Sequence, residues 1–396
     1  MLLVSEGGVD YYLDAPPLCP LPFDLVEEIL CRSPVKLLLQ LQCVCKSWNS
    51  LISDPRFAKK HLSMSRHLRL HYLNYSHPLG MYTITSCPLQ YVSTAMSTNF
   101  THLNYPSDDI DVDYRSFYAH HEIVGSCNGI IFLTQQTMLI LWNPSIRKAK
   151  KLPSFEEPYY GVPYGSYGFG YDLVTGNYKV VALLRPSSSS SHDLVRKAQV
   201  KIHTLGTNFW KKIGDFPFDS IPDIVAARFL SGAINWLASK RWGVSPCFIV
   251  SLDLGTESYQ KVSLPPHFEE VDVCSLSLNV LMDCLCIISG HDVWIMKEYG
   301  NKESWTKLYT VPYLRDPGKS HYLTKALYIF EDDRLLLECM ADWGFKLIVY
   351  DPKISTSKFV EFENNESVYD STYGGQPEPE ICVESLISPV VLTDRV

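Results

Sequence analysis

Twelve cysteines and twelve histidines carry most of the chemical potential of this sequence, and their spacing decides what they can do. His67 and His71 lie four apart and would share one helix face, the usual beginning of a metal site. No Glu or Cys completes that site, and the residues around the pair alternate like a strand. His120 and His121 are adjacent, so a strand would point them to opposite faces. No C-x-x-C pair occurs, and Cys284 and Cys286 in CLCII and Cys339 in LLLECM sit in apolar runs, where a reduced thiol packs as a small hydrophobe. Cys43 and Cys45 fall in a helical stretch and read the same way. There is no G-x-S-x-G elbow and no G-x-x-x-x-G-K-[ST] phosphate loop. The glycines of Gly165-Ser-Tyr-Gly168-Phe-Gly170 are separated by aromatics and suit close packing in a sheet. The expectation is no catalytic residue, no metal and no cofactor, which leaves recognition as the function to look for.

The elements that would position a recognition surface fall into two kinds. Residues 20–62 have helical periodicity with clear punctuation. Pro22 suits a first helical position, and Asp24, Glu27 and Glu28 favour the early turns of a helix. Leu25 and Ile29 share one face, as do Val26 and Leu30. Ser33-Pro34 stops the helix, because the residue before proline avoids the α region. A second helix is expected from Val35 with Leu37, Leu38 and Leu41, and a third through Val44, Trp48, Leu51 and Ile52. Asp54-Pro55 then restarts a short helix carrying Phe57 and Leu62. Three short helices hold too little core to stand comfortably alone, so apolar surface stays exposed unless a partner or the remaining chain covers it.

LPFDLVEEILCRSPVK followed by CVCKSWNSLISDPRFAKKHL closely resembles the F-box of plant F-box proteins. The resemblance implies docking on a Skp-type adaptor, and through it on a cullin and a RING subunit. It carries the adaptor contacts onto Leu21, Pro22, Leu25, Ile29, Leu30, Pro34, Val35, Leu38 and Trp48. The chain departs from the family at Ser33, where the family usually has leucine.

From about residue 120 the pattern changes to short strands. Apolar runs begin at Gly129 (GIIFL), Lys179 (KVVALL), Gly232 (GAINWLA), Cys284 (CLCIIS) and Arg334 (RLLLECM), at steps of roughly 50 residues, a period typical of kelch-type propeller blades. Each is followed by a strand, a turn and a lysine-bearing strand. The turns carry Asn143-Pro144, Gly206-Thr-Asn208, Gly255-Thr256, Gly300-Asn301 and Asp351-Pro352. Five copies suggest a propeller. A sixth blade would join residues 66–100 to the C-terminal CVESLISPVVL and close the ring, and an open β-sandwich is the rival. The expected domains are a disordered tail (1–17), an F-box of three helices (18–62), a connecting segment with possible first-blade strands (63–119) and a large all-β, kelch-like β-propeller (120–392).

VGSCNGIIFL, LWNPSIRKAKKLP, YGFGYDLVTGNYKVVAL, SGAINWLAS and VESLISPVV are similar to the F-box-associated domain of plant F-box proteins, in the family's order. Pollen S-locus F-box proteins share the plan. The resemblance implies the substrate-recognition subunit of a Skp–cullin–F-box ubiquitin ligase, which binds a protein target and does no bond chemistry itself. The alternatives are a propeller-type ligand- or carbohydrate-binding protein or enzyme, and an F-box protein acting outside the ligase. Target contact is expected from Tyr159, Tyr160, Tyr164 and Tyr167, because tyrosine offers large contact area with a polar tip. The serine tract 186–193 and the acidic run 361–384 read as exposed loops. A net charge of −8 argues against nucleic acid as a partner. The acidic first residues and the lack of an apolar run near ~20 residues argue against a signal peptide or membrane span, so the expected location is cytoplasm or nucleus.

Overall fold

A computed structural model describes residues 21–76, 81–92, 101–103, 121–135, 138–155, 165–184, 198–222, 227–241, 244–266, 268, 271–312, 321–341, 344–360 and 379–390. The expected tail at 1–17 lies outside these.

The first elements are the three expected helices and the one restarted at Asp54-Pro55: α1 (Phe23–Cys31), α2 (Val35–Leu41), α3 (Lys46–Ile52) and α4 (Pro55–Met64). The restart at Asp54-Pro55 produces the longest of them, because the Asp54 side chain accepts a hydrogen bond from the Arg56 amide at 2.7 Å and Pro55 takes a first-turn position. Pro22 sits one residue earlier than expected, at the N-cap of α1 in an extended conformation. Leu30, Cys31, Leu38, Ile52 and Phe57 form the core of this bundle.

The rest is a six-bladed β-propeller. Blade 1 begins with β1 (Leu68–Ser76) and β2 (Met81–Pro88), which is followed by a short helix α5 (Leu89–Val92) and then β3 (Thr101–Leu103). Blade 2 is β4 (His121–Cys127), β5 (Ile130–Gln135), β6 (Met138–Asn143) and β7 (Lys148–Lys151). Blade 3 is β8 (Gly165–Asp172), β9 (Asn177–Leu184), β10 (Gln199–Thr204) and β11 (Lys211–Asp215). Blade 4 is β12 (Ile221–Pro222), β13 (Arg228–Leu230), β14 (Ala233–Arg241), β15 (Val244–Asp253) and β16 (Tyr259–Val262). Blade 5 is β17 (Leu276–Leu281), β18 (Cys284–Ser289), β19 (Asp292–Met296) and β20 (Trp305–Thr310). Blade 6 is β21 (His321–Ile329), β22 (Leu335–Ala341), β23 (Gly344–Asp351) and β24 (Thr356–Phe359). The last strand, β25 (Glu380–Val383), pairs antiparallel with β1, so both ends of the chain share blade 1 and close the ring. The propeller therefore starts at Leu68, and the possible first-blade strands of residues 63–119 join the C-terminal segment in the blade that closes the ring.

The five apolar runs that set the 50-residue period are the second strands β5, β9, β14, β18 and β22. Each is apolar without alternation because a neighbouring blade covers both of its faces. Six hydrophobic clusters fill the six seams between adjacent blades. The outermost strands β7, β11 and β24 are largely exposed and carry the lysines, which blunt the sheet edges against further pairing. At the third-strand turns Asn143, Asp253 and Asp351 accept backbone hydrogen bonds from Ser145, Thr256 and Lys353 at 2.7–2.9 Å, the local bonding that makes Asn and Asp turn residues. The glycines of β8 are packing residues. A Cβ on Gly168 would lie 2.5 Å from the Ile234 side chain and one on Gly170 2.2 Å from the Phe229 ring, so only glycine lets blade 4 approach this closely.

Candidate functional site

In α1 the two apolar pairs of the sequence point opposite ways. Val26 and Leu30 turn into the helical core. Leu25 and Ile29 turn out, 51% and 57% exposed, together with Leu21 and Phe23. Leu37 of α2 and Val44 before α3 are also exposed. Leaving a Leu or Ile in water forgoes roughly 1.5–3 kcal/mol of burial each, so this many exposed apolar residues on one small module point to a docking surface. The module behind it is held firm. Lys60 reaches Glu27 at 2.7 Å, and buried His61 meets the Ser33 carbonyl through Nε2 at 3.0 Å. Burial lowers the His61 pKa, favouring the neutral ring. The Ser33 hydroxyl donates to the Ile29 carbonyl of the turn before it at 3.2 Å, at the exposed end of α1.

The nine expected adaptor contacts divide accordingly. Leu21, Pro22, Leu25, Ile29 and Pro34 are exposed and available. Leu30, Val35 and Leu38 are at most 2% exposed; they are core residues and not contacts, because short helices must spend their inner stripe on one another. Trp48 is half-buried against that core. Phe23, Leu37 and Val44 are exposed but absent from the expected contacts; Leu37 and Val44 read in the sequence as stripe residues of the second and third helices, and their exposure is decided by packing.

The propeller offers a centre and two faces. The inner strands β4, β8, β13, β17, β21 and β25 follow one another around the axis. They enclose a cavity of about 290 Å³ lined by residues that include Ser126, Phe169, Arg228, Asn279, Lys325 and Glu380. Three of its charges, on Arg228, Lys325 and Glu380, are knitted into the wall. Lys325 Nζ donates to the Pro379 carbonyl at 2.9 Å and lies 3.3 Å from the Glu380 carboxylate, which also accepts from the Ser126 hydroxyl at 3.0 Å. Arg228 Nε donates to the Leu278 carbonyl at 3.1 Å. Among the described residues no His, Cys or Tyr lines this cavity, and no group of three or more His, Cys, Asp or Glu is placed to hold a metal. His71 is fully buried on β1, and burial drives its pKa down to about 3.

The helical module joins the face that carries the turns between first and second strands. The start of β1 pairs with the end of β25, and the Glu384 amide donates to the His67 carbonyl at 2.8 Å. The strand ends that lead into the tyrosine-rich, serine-rich and acidic segments lie on the opposite face, at β7–β8, β9–β10 and β24–β25. Tyr159, Tyr160 and Tyr164, the serine tract and most of the acidic run lie outside the described residues. Tyr167 is placed, and it is a core residue: it is 9% exposed on β8, its ring packs edge-on to Phe132 at 6.0 Å, and burial pushes its hydroxyl pKa up to about 12. Strand alternation turns it between blades 2 and 3, away from the surface expected for it.

Residues 18–60 match the F-box domain, and residues 81–388 match the F-box associated beta propeller domain. The chain belongs to the F-box proteins with an F-box-associated propeller. It is 30% identical over 333 residues to an F-box/kelch-repeat protein of Arabidopsis thaliana, covering 79% of this chain and 85% of that protein. It is 27% identical over 404 residues to the F-box protein CPR1 of Arabidopsis thaliana, covering 93% of this chain and 89% of that one. In this F-box protein the F-box is thus the helical module with the outward apolar face of α1, and the propeller begins a few residues beyond α4.

Proposed function

We propose that the chain is the substrate-recognition subunit of a Skp–cullin–F-box ubiquitin ligase, working in cytosol or nucleus. The outward face of α1, with Leu21, Leu25 and Ile29, docks a Skp-type adaptor that brings the cullin and RING subunits. The propeller face opposite the F-box holds a protein target. The chain performs no bond chemistry; holding both partners raises the effective concentration of target lysines near the charged conjugating enzyme. The observation that carries this reading is the reversed phase of α1, whose second apolar stripe faces solvent while the first fills the bundle.

The test is affinity for a purified Skp-type adaptor, with the Leu25→Ala/Ile29→Ala variant beside the unaltered chain. Buried anchors of an interface cost about 2 kcal/mol or more each when truncated, so the pair should weaken binding by a hundredfold or more with an unchanged circular dichroism spectrum. Equal affinity in both proteins would remove the assignment.

A further inference from the structure

Two domains joined by a short linker ordinarily move relative to one another unless something fastens them. Here the linker, residues 65–67, runs straight from α4 into β1. It does not hold the domains alone, because the segment after β25 returns to the same junction. The Glu384 amide donates to the His67 carbonyl at 2.8 Å, the Ser65 hydroxyl donates to the Glu384 carbonyl at 3.2 Å, and Arg69 lies 3.4 Å from the Glu384 carboxylate. The next three residues alternate between the domains. Leu386 packs against the F-box core beside Leu30, Leu38 and Phe57. Ile387 packs into the seam between blades 2 and 3. Ser385 is fully buried, and its hydroxyl donates to the Asn128 carbonyl at 2.8 Å.

Blade 2 is shaped to receive this segment. The amide nitrogen of fully buried Asn143 lies 3.0 Å from the Ser385 carbonyl and 2.8 Å from the Ile387 carbonyl, two acceptors for its two protons, while its Oδ1 caps its own turn at the Ser145 amide. Gly129 stands in the left-handed region with φ +84°, and a Cβ there would fall 2.1 Å from the Ser385 hydroxyl oxygen. The Asn128-Gly129 hairpin thus leaves a slot, which Ser385 fills.

We propose that residues 384–387 are a clasp that fixes the F-box and the propeller as one rigid body. Because the clasp continues directly from β25, the strand that closes the ring, ring closure and F-box orientation depend on the same stretch of chain. In the ligase reading above, on which this last consequence rests, the clasp positions the far face of the propeller at a constant distance and angle from the adaptor.

The experiment compares the intact chain with Leu386→Ser, which releases the F-box side, and Asn143→Asp, which keeps the turn cap and removes both donors. Small-angle scattering and hydrogen exchange are read on each. Both variants should show a larger radius of gyration and at least tenfold faster exchange at the Glu384 amide, which donates to the His67 carbonyl. Exchange of β9, β14 and β18 and affinity for a Skp-type adaptor should stay within twofold of the intact chain. Unchanged scattering and unchanged Glu384 exchange in both variants would overturn the clasp. Faster exchange throughout the propeller in both would also overturn it, since these residues would then be ordinary core. Failure of the unaltered chain to bind the adaptor would strike the ligase reading and leave the clasp result standing.

Discussion

Ile29 and Ile131 are the same side chain in the two parts of this molecule, yet Ile29 is 57% exposed and Ile131 fully buried. The difference lies in what each architecture does with its second face. A blade strand is covered on both sides because the ring returns to its start, so every second strand becomes core. A four-helix module of this size can bury one stripe of each helix, and the apolar residues left over remain as surface for another protein. Apolar sequence therefore means packing in one region and docking in the other.

The largest expected effect tests the propeller half of this contrast. Trp236, 1% exposed and packed edge-on to Phe216 between blades 3 and 4, should cost about 3–5 kcal/mol on truncation to alanine, read as a lower denaturant midpoint. A change under about 1 kcal/mol would mean that the seam is not a packed core.

Next comes a pair of neighbours within α1. Leu30→Ala should destabilise the F-box by about 2–4 kcal/mol, seen as faster hydrogen exchange across α1–α4, whereas Ile29→Ala should change stability by less than about 0.5 kcal/mol. Equal losses would erase the distinction between the inward and outward stripes.

The smallest expected effect is a slope with pH. Burial holds the His71 pKa at about 3 in the folded chain, against about 6.5 unfolded. The unfolded chain therefore binds the proton first as pH falls. This contribution to stability is complete above pH 6.5 and is lost between there and pH 3, at about 1.4 kcal/mol per unit. Burial also lowers His61 and His203, whose contributions have the same sign. From pH 7 to pH 5 His71 should cost about 2 kcal/mol, and His71→Gln should flatten the slope of urea midpoint against pH. An identical slope in the variant would place His71 in contact with water.

Much of the fold is written locally in the chain. Asp54-Pro55 caps and starts α4, Ser33-Pro34 separates α1 from α2, and Asn143, Asp253 and Asp351 make their own turns through bonds two or three residues away. The 50-residue period follows from strands buried on both faces, a property visible as unbroken apolar runs. These features depend on near neighbours in sequence, so the sequence determined them, along with the F-box and its docking class. Tertiary structure decided the rest, because each remaining question concerns which distant residue covers which. It divided the apolar residues of α1–α3 into core and surface, turned Tyr167 inward against Phe132, and brought Asn143 and Gly129 to Ser385 across some 240 to 260 residues of chain. Periodicity places a side chain on a face of its own element, and only the packed chain determines what that face meets.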